Sequence, residues 1–214
     1  AHISGDENMI AAFTSGEDIH AVTASQVFGV PLGEVTAQQR SRAKAVNFGI
    51  VYGISAWSLA QDIGVSVNEA KEYMDAYLEK YHGVREYMRE IVERAREDGY
   101  VETMLHRRRA LPELKSSNFA TRSFGERVAL NMPVQGAAAD IIKLAMVNVS
   151  RRMEREGLSS RLILQVHDEL IAECPEREAE RVRMLLTEEM QNAVRLRVPL
   201  VAEAHFGKSW TEAH

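Results

Sequence analysis

Capping residues and glycines cut the first hundred residues of this 214-residue chain into helix-length pieces, and β-prone runs begin only after Gly99. That change of hydrophobic period, from 3.6 to 2, constrains the fold more than any other feature. Asp18 caps a helix that stops at about Phe28, before Gly29 and Pro31. Thr36 caps the next, which reaches Gly53, and Ser55 opens a short helix ending near Gly64. Ser66 with Glu69 forms a capping box. The helix it opens places Ala70, Tyr73, Met74, Tyr77 and Leu78 on one face. Gly83 breaks it, and a second long helix runs to Gly99. A small hairpin is predicted from Gly99 through Ala110. Helix returns from about Asn118 to Asn131, Pro133 and Gly136 predict a break, and a long helix follows from Ala137 to about Glu156. Arg161 to Val166 and Glu169 to Cys174 predict an antiparallel hairpin turning at His167 and Asp168. Pro175 opens a helix to about Val194, and Pro199 to Phe206 predicts a further strand. The class is α+β: a helical lobe followed by a part-sheet lobe, joined near residue 115.

Within the second helical piece, Arg40, Lys44, Phe48 and Tyr52 recur at four-residue steps. Residues four apart share one helix face, so one stripe carries two cations followed by two aromatic rings. The cations sit toward the helix N-terminus, where the backbone dipole already favours an anion. At the α-helical rise the stripe spans roughly 18 Å, comparable to a stretched nucleoside triphosphate. Phosphates would lie at Arg40 and Lys44, sugar and base at Phe48 and Tyr52. The plainer alternative is an amphipathic helix with a solvated basic end and an aromatic end in the core.

Net charge is −5, which argues against a uniformly basic nucleic-acid-binding surface. Charge is uneven, however. Arg107, Arg108, Arg109, Lys115, Arg122 and Arg127 face only Glu113 and Glu126 between residues 107 and 127, and a local basic strip can track a phosphate backbone. Cys174 is the only cysteine, so no internal disulfide forms, in keeping with a reducing cytoplasm. The most apolar stretch, residues 128–149, is interrupted by Asn131, Gln135, Asp140 and Lys143, so no membrane span is expected.

Two further constellations bear on chemistry. Asp168 and Glu169 are adjacent carboxylates at a hairpin tip, the hard oxygen ligands that magnesium prefers. An ordinary solvated turn is the alternative, and His167 is either a turn residue or a donor to a nucleic-acid strand. A single such pair is poor equipment for two metal ions about 4 Å apart, so another carboxylate is required from elsewhere. The second constellation is Arg127, Asn131 and Gln135, polar residues repeating every four positions amid apolar neighbours. All three can donate to the acceptors of a minor groove. Equally, they can form a polar seam that solvates one face.

Together these segments resemble DNA polymerase family A, the bacterial DNA polymerase I family, from Ala1 to His214. Arg40-x-x-x-Lys44-x-x-Asn47-Phe48-Gly49-x-x-Tyr52-Gly53 resembles the family's finger-helix motif, and Gln165-Val166-His167-Asp168-Glu169 its third palm motif. Asn131-x-Pro133-Val134-Gln135-Gly136 resembles its DNA-contacting segment. The resemblance implies a right-hand polymerase fragment: fingers over residues 1–115, then the C-terminal part of the palm over 116–214. It implies that Arg40 and Lys44 grip the triphosphate, that Lys44 also donates a proton to pyrophosphate, and that His20 touches the phosphates. Phe48 packs on the incoming sugar, and Tyr52 stacks near the templating base. Asp168 ligates magnesium with Glu169 as a weaker partner, the pair with Lys44 forming the catalytic set. Gln165, His167, Arg127, Asn131 and Gln135 contact primer–template DNA.

The implied reaction is template-directed transfer from a deoxynucleoside triphosphate to a primer 3′-hydroxyl, with two magnesium ions. The implied setting is the bacterial cytoplasm, on the nucleoid. The family's first palm motif, with a metal-binding Asp, precedes the segment that matches Ala1. The resemblance therefore implies an upstream palm and thumb portion of the same polypeptide as partner, and an isolated 214-residue chain that is inactive. A nucleotide- or DNA-binding module without chemistry is the alternative. A single-subunit RNA polymerase of related fold is a weaker one.

Overall fold

The computed structural model describes residues 1–213. It opens with α1 (Glu7–Thr14), which was not predicted from the sequence. The helices predicted from the caps at Asp18, Thr36, Ser55 and Ser66 form where those side-chain oxygens meet the first free backbone N–H groups: α2 (Ile19–Phe28), α3 (Ala37–Val51), α4 (Ala56–Ile63) and α5 (Val67–Lys80). The expected long helix α6 (His82–Asp98) follows, with no side-chain cap. Asp18 accepts from the N–H groups of His20 and Ala21. Thr36 and Ser66 each close a capping box, with Gln39 and Glu69. A hairpin of β1 (Tyr100–Glu102) and β2 (Arg108–Ala110) follows, with the Arg108 guanidinium 4.5 Å from the Tyr100 ring centroid. Next come α7 (Phe119–Arg155), the antiparallel hairpin β3 (Arg161–Val166) and β4 (Glu169–Glu173), α8 (Ala179–Gln191) and the short α9 (Trp210–Ala213). Largely helical with two small antiparallel sheets, the chain has the expected α+β class.

The chain divides into two compact units, one through Gln135 and one from Gly136 onward. The first is built on Val46, Ile50, Leu59, Tyr77, Tyr81 and Val84, with a second cluster of Ala95, Val101, Leu111, Leu114 and Ala129. The predicted face of α5 is the buried one: Ala70 and Tyr77 are in the core, and Tyr73, Met74 and Leu78 pack against it. The Asp6 carboxylate ties this unit together. Only 2 % exposed, it accepts from Met9 N–H at 2.8 Å, capping α1, and from Gly83 N–H at 2.8 Å near the start of α6. Two uncompensated helix N-termini thereby share one anion. The second unit packs Val149 and Met153 of α7 against Val182, Leu185 and Leu186 of α8, beneath the hairpin residues Leu162, Leu170 and Ala172.

Two local expectations give way. No break occurs at Pro133 and Gly136, because α7 runs through both. Proline forfeits one helical hydrogen bond, to the carbonyl four residues back, and crowds that turn. Here the flanking Ala129 and Ala137 are buried, and packing along the helix outweighs the local preference. The strand predicted over Pro199 to Phe206 does not form among the described residues, since β3 and β4 pair only with each other. A strand needs a neighbouring ladder as well as propensity. The segment is held otherwise, by Gln191 Nε2 donating to the Ala202 carbonyl at 3.0 Å and by Ala204 packing on the α8 cluster.

Candidate functional site

Helix α3 separates its two faces cleanly. Ala43, Val46, Asn47 and Ile50 turn into the core, and burial of Val46 and Ile50 stabilises the helix by about 1.5–3 kcal/mol each. On the other side Arg40, Lys44, Phe48 and Tyr52 all face solvent, with Phe48 48 % and Tyr52 45 % exposed. An aromatic end buried in the core is therefore excluded. The two rings lie nearly parallel, centroids 6.4 Å apart and planes 13° apart, and Lys44 Nζ sits 5.9 Å from the Phe48 ring centre. Tyr52 lies one residue beyond the helix end but keeps the stripe, because its N–H still bonds to the Phe48 carbonyl at 3.0 Å.

Gly53 then reverses the chain with φ +70°, where a side chain is strained. A Cβ there would also come within 3.0 Å of Leu130 Cδ1 and 3.4 Å of Arg127 Cγ. The end of the stripe thus packs directly on α7 at Arg127. Along α7, Arg127 and Gln135 are exposed and Asn131 is half-buried, its Oδ1 enclosed without a hydrogen-bond partner.

Helix α2 brings His20 against the stripe, its ring 5.8 Å from Phe48. Burial pushes the His20 pKa down; Asp18 opposes this, and the Arg40 and Lys44 cations reinforce it. Its Nδ1 lies 2.9 Å from Asn47 Nδ2, and Asn47 Oδ1 accepts from the Thr23 hydroxyl at 3.1 Å. Arg40 is already engaged: its Nε donates to Asp18 Oδ2 at 2.5 Å, holding that carboxyl below the usual range. His20, Arg40, Lys44, Phe48 and Tyr52 therefore form one solvent-facing cluster. Sequence reading missed Asn47 and Thr23 as supports, and saw Asp18 only as a cap. Asn47 stood inside the finger-helix motif, but its contacts reach back 24 and 27 residues.

In the second unit the β3–β4 hairpin has the predicted two-residue tip, with Val166 paired to Glu169. His167 adopts φ +51°, the left-handed conformation that a tight hairpin turn demands and that a non-glycine residue seldom takes. The Gln165 amide donates to the His167 carbonyl and braces the turn. His167 and Asp168 are exposed, whereas Glu169 belongs to β4 and is half-buried. Among the described residues no group of three or more His, Cys, Asp or Glu side chains could hold a metal ion. The tip offers at most two carboxylates. That suits magnesium, which takes one or two protein carboxylates and completes its shell with water and phosphate oxygens.

The exposed row on α3 and the acidic hairpin tip lie in a chain that belongs to DNA polymerase family A, whose model matches residues 1–212. It is 53 % identical over 213 residues to DNA polymerase I of Geobacillus stearothermophilus. It is also 52 % identical over 213 residues to DNA polymerase I of Bacillus subtilis. Each match covers 100 % of this chain and 24 % of the relative, so the chain spans about a quarter of their length. Among solved structures, the polymerase domain of Pol1 from M. smegmatis, in complex with DNA primer-template and dNTP, superposes with a TM-score of 0.95. Sequence identity there is 50 %, over 100 % of this chain and 38 % of that one. No helix among the described residues is long and apolar enough to cross a membrane.

Proposed function

We propose that this chain forms the fingers, residues 1–115, and the C-terminal part of the palm, residues 116–214, of a DNA polymerase that extends a primer on a template. The exposed row Arg40, Lys44, Phe48, Tyr52 on a helix whose opposite face is core carries this reading. Half-exposed stacked rings beside solvent-facing cations do not serve the core behind the helix; they match the sugar, base and phosphates of a deoxynucleoside triphosphate. In this reading Arg40, Lys44 and His20 bind the phosphates, Phe48 the sugar and Tyr52 the templating position. Arg127, Asn131, Gln135, Gln165 and His167 meet the primer–template duplex.

Asp168 would hold magnesium, with Glu169 as a secondary ligand. The bound ion would lower the pKa of the attacking hydroxyl and stabilise charge on the departing phosphates. What the residues of this chain contribute is orientation and charge: Lys44 and Arg40 align the triphosphate, and Lys44 is placed to give a proton to pyrophosphate. Because the tip alone supplies too few ligands for two ions, the proposal requires a further carboxylate from an upstream palm and thumb portion of the same polypeptide. The 214-residue chain by itself should then be inactive. A bacterial cytoplasmic setting on the nucleoid belongs to the same proposal.

That ligand shortage also favours one second reading, a nucleotide- and DNA-binding module without chemistry. Single-turnover incorporation by the whole polymerase separates the two. Asp168→Ala should slow the chemical step by on the order of a thousandfold or more while nucleotide affinity holds within a few-fold. Unchanged turnover would remove Asp168 from the mechanism. Primer extension by the isolated chain at a rate near that of the whole enzyme would contradict its predicted inactivity.

A further inference from the structure

Behind the exposed stripe lies a buried polar relay that gripping alone does not account for. Asn47 is 9 % exposed and Thr23 1 % exposed, and the chain neighbours Ala24, Ala43 and Val46 are buried as well. Buried amides and hydroxyls are costly unless paired, and here each has a partner. The Thr23 hydroxyl donates to Asn47 Oδ1 at 3.1 Å, which leaves Asn47 Nδ2 aimed at His20 Nδ1, 2.9 Å away. An amide nitrogen only donates, so Nδ1 must accept. A neutral imidazole that accepts at Nδ1 carries its proton on Nε2. That nitrogen is on the far side of the ring from Asn47.

We propose that Asn47, anchored by Thr23, is a positioning residue that locks His20 as the Nε2–H tautomer and so presents a neutral hydrogen-bond donor to the phosphates. The assignment rests on the triphosphate-gripping reading for its purpose, but not for its geometry. Charges near the ring act in the same direction. Its burial and the Arg40 and Lys44 cations keep it neutral, against the pull of Asp18. The consequence is chemical. A third full cation beside Arg40 and Lys44 would strengthen the hold on pyrophosphate as well as on substrate, and uniform strengthening of that kind does not speed turnover. A neutral donor of fixed direction orients the phosphates without that penalty. The opposite amide orientation would present an Nε2 lone pair to an anion and repel it.

The test reads the tautomer directly. In the ¹⁵N-labelled chain, long-range proton–nitrogen correlation of His20 should give the Nε2–H pattern. Thr23→Val keeps the shape and deletes the anchoring hydroxyl; Asn47→Leu deletes the donor. Both should give mixed tautomers with unchanged helical circular dichroism. Affinity for dTTP, measured by calorimetry, should fall roughly fivefold in either variant, about the worth of one hydrogen bond. In a His20→Ala background the same substitutions should cost nothing further. An Nδ1–H pattern in the native chain, an unmoved tautomer in both variants, or an equal affinity loss without His20 would each overturn the lock. A native chain that shows Nε2–H yet binds no dTTP supports the lock and overturns the gripping reading beneath it.

Discussion

Asp18 both caps α2 and neutralises Arg40, so the arginine expected to hold phosphate already has an anionic partner at 2.5 Å. An incoming phosphate must share or displace that carboxylate. Asparagine caps a helix as well as aspartate does but carries no charge. Asp18→Asn should therefore leave the thermal midpoint nearly unchanged and tighten dTTP binding a few-fold in a calorimetric titration; weaker binding would show that Asp18 orients Arg40 instead of competing for it. At the hairpin tip, His167 is left-handed at φ +51°. That conformation costs an ordinary residue roughly 1–2 kcal/mol, partly offset in glycine by its greater unfolded entropy. His167→Gly should raise stability by about 0.5–1 kcal/mol in denaturant unfolding, and a loss would mean the imidazole makes contacts that outweigh the strain. Residue types and caps were legible in the sequence because they act within three or four positions. The Asp18–Arg40 pair and the Thr23–Asn47–His20 relay were not, because they join α2 to α3 across 22 to 27 residues.

Helix α3 ends where the stripe ends, and Gly53 makes the turn. Its φ of +70° and the 3.0 Å approach of Leu130 give two independent reasons for glycine. Gly53→Ala should cost about 1–2 kcal/mol from backbone strain alone, seen as a lowered thermal midpoint; an unchanged midpoint would mean that this turn rearranges freely. The elements read correctly were those whose period and punctuation agree, such as α5 and the β3–β4 hairpin. The elements misread were those where distant partners decide. Pro133 breaks an isolated helix, but buried neighbours on α7 hold this one together. Residues 199 to 206 have strand composition and no ladder to join among the described residues. The stripe itself was legible as a spacing, whereas its exposure was not. Periodicity places four residues on one face without saying whether core or solvent lies beyond it.

At the scale of the whole molecule, each unit has its own core, and the second carries its own acid sensitivity. Glu156 accepts from Arg181 at 2.5 and 2.7 Å and from Arg152 at 3.0 Å. Those guanidiniums, Arg181 foremost, hold its carboxyl at about 2. A folded pKa below the unfolded one means that the native state binds fewer protons. This stabilisation is complete above about 4.5 and is lost as pH falls toward 2. Circular dichroism melts across that window should show a falling midpoint, with a shallower fall in Glu156→Gln; parallel curves would remove Glu156 from the acid response. The chain spans about a quarter of the length of its relatives, and the proposed nucleotide-gripping role rests on the exposed face of α3. Titration of the 214-residue chain with dTTP, beside its Lys44→Ala variant, probes that surface without requiring catalysis. Lys44 contributes a full charge 5.9 Å from the Phe48 ring, so its loss should weaken binding about tenfold or more. Equal affinities would mean that the stripe does not grip a triphosphate.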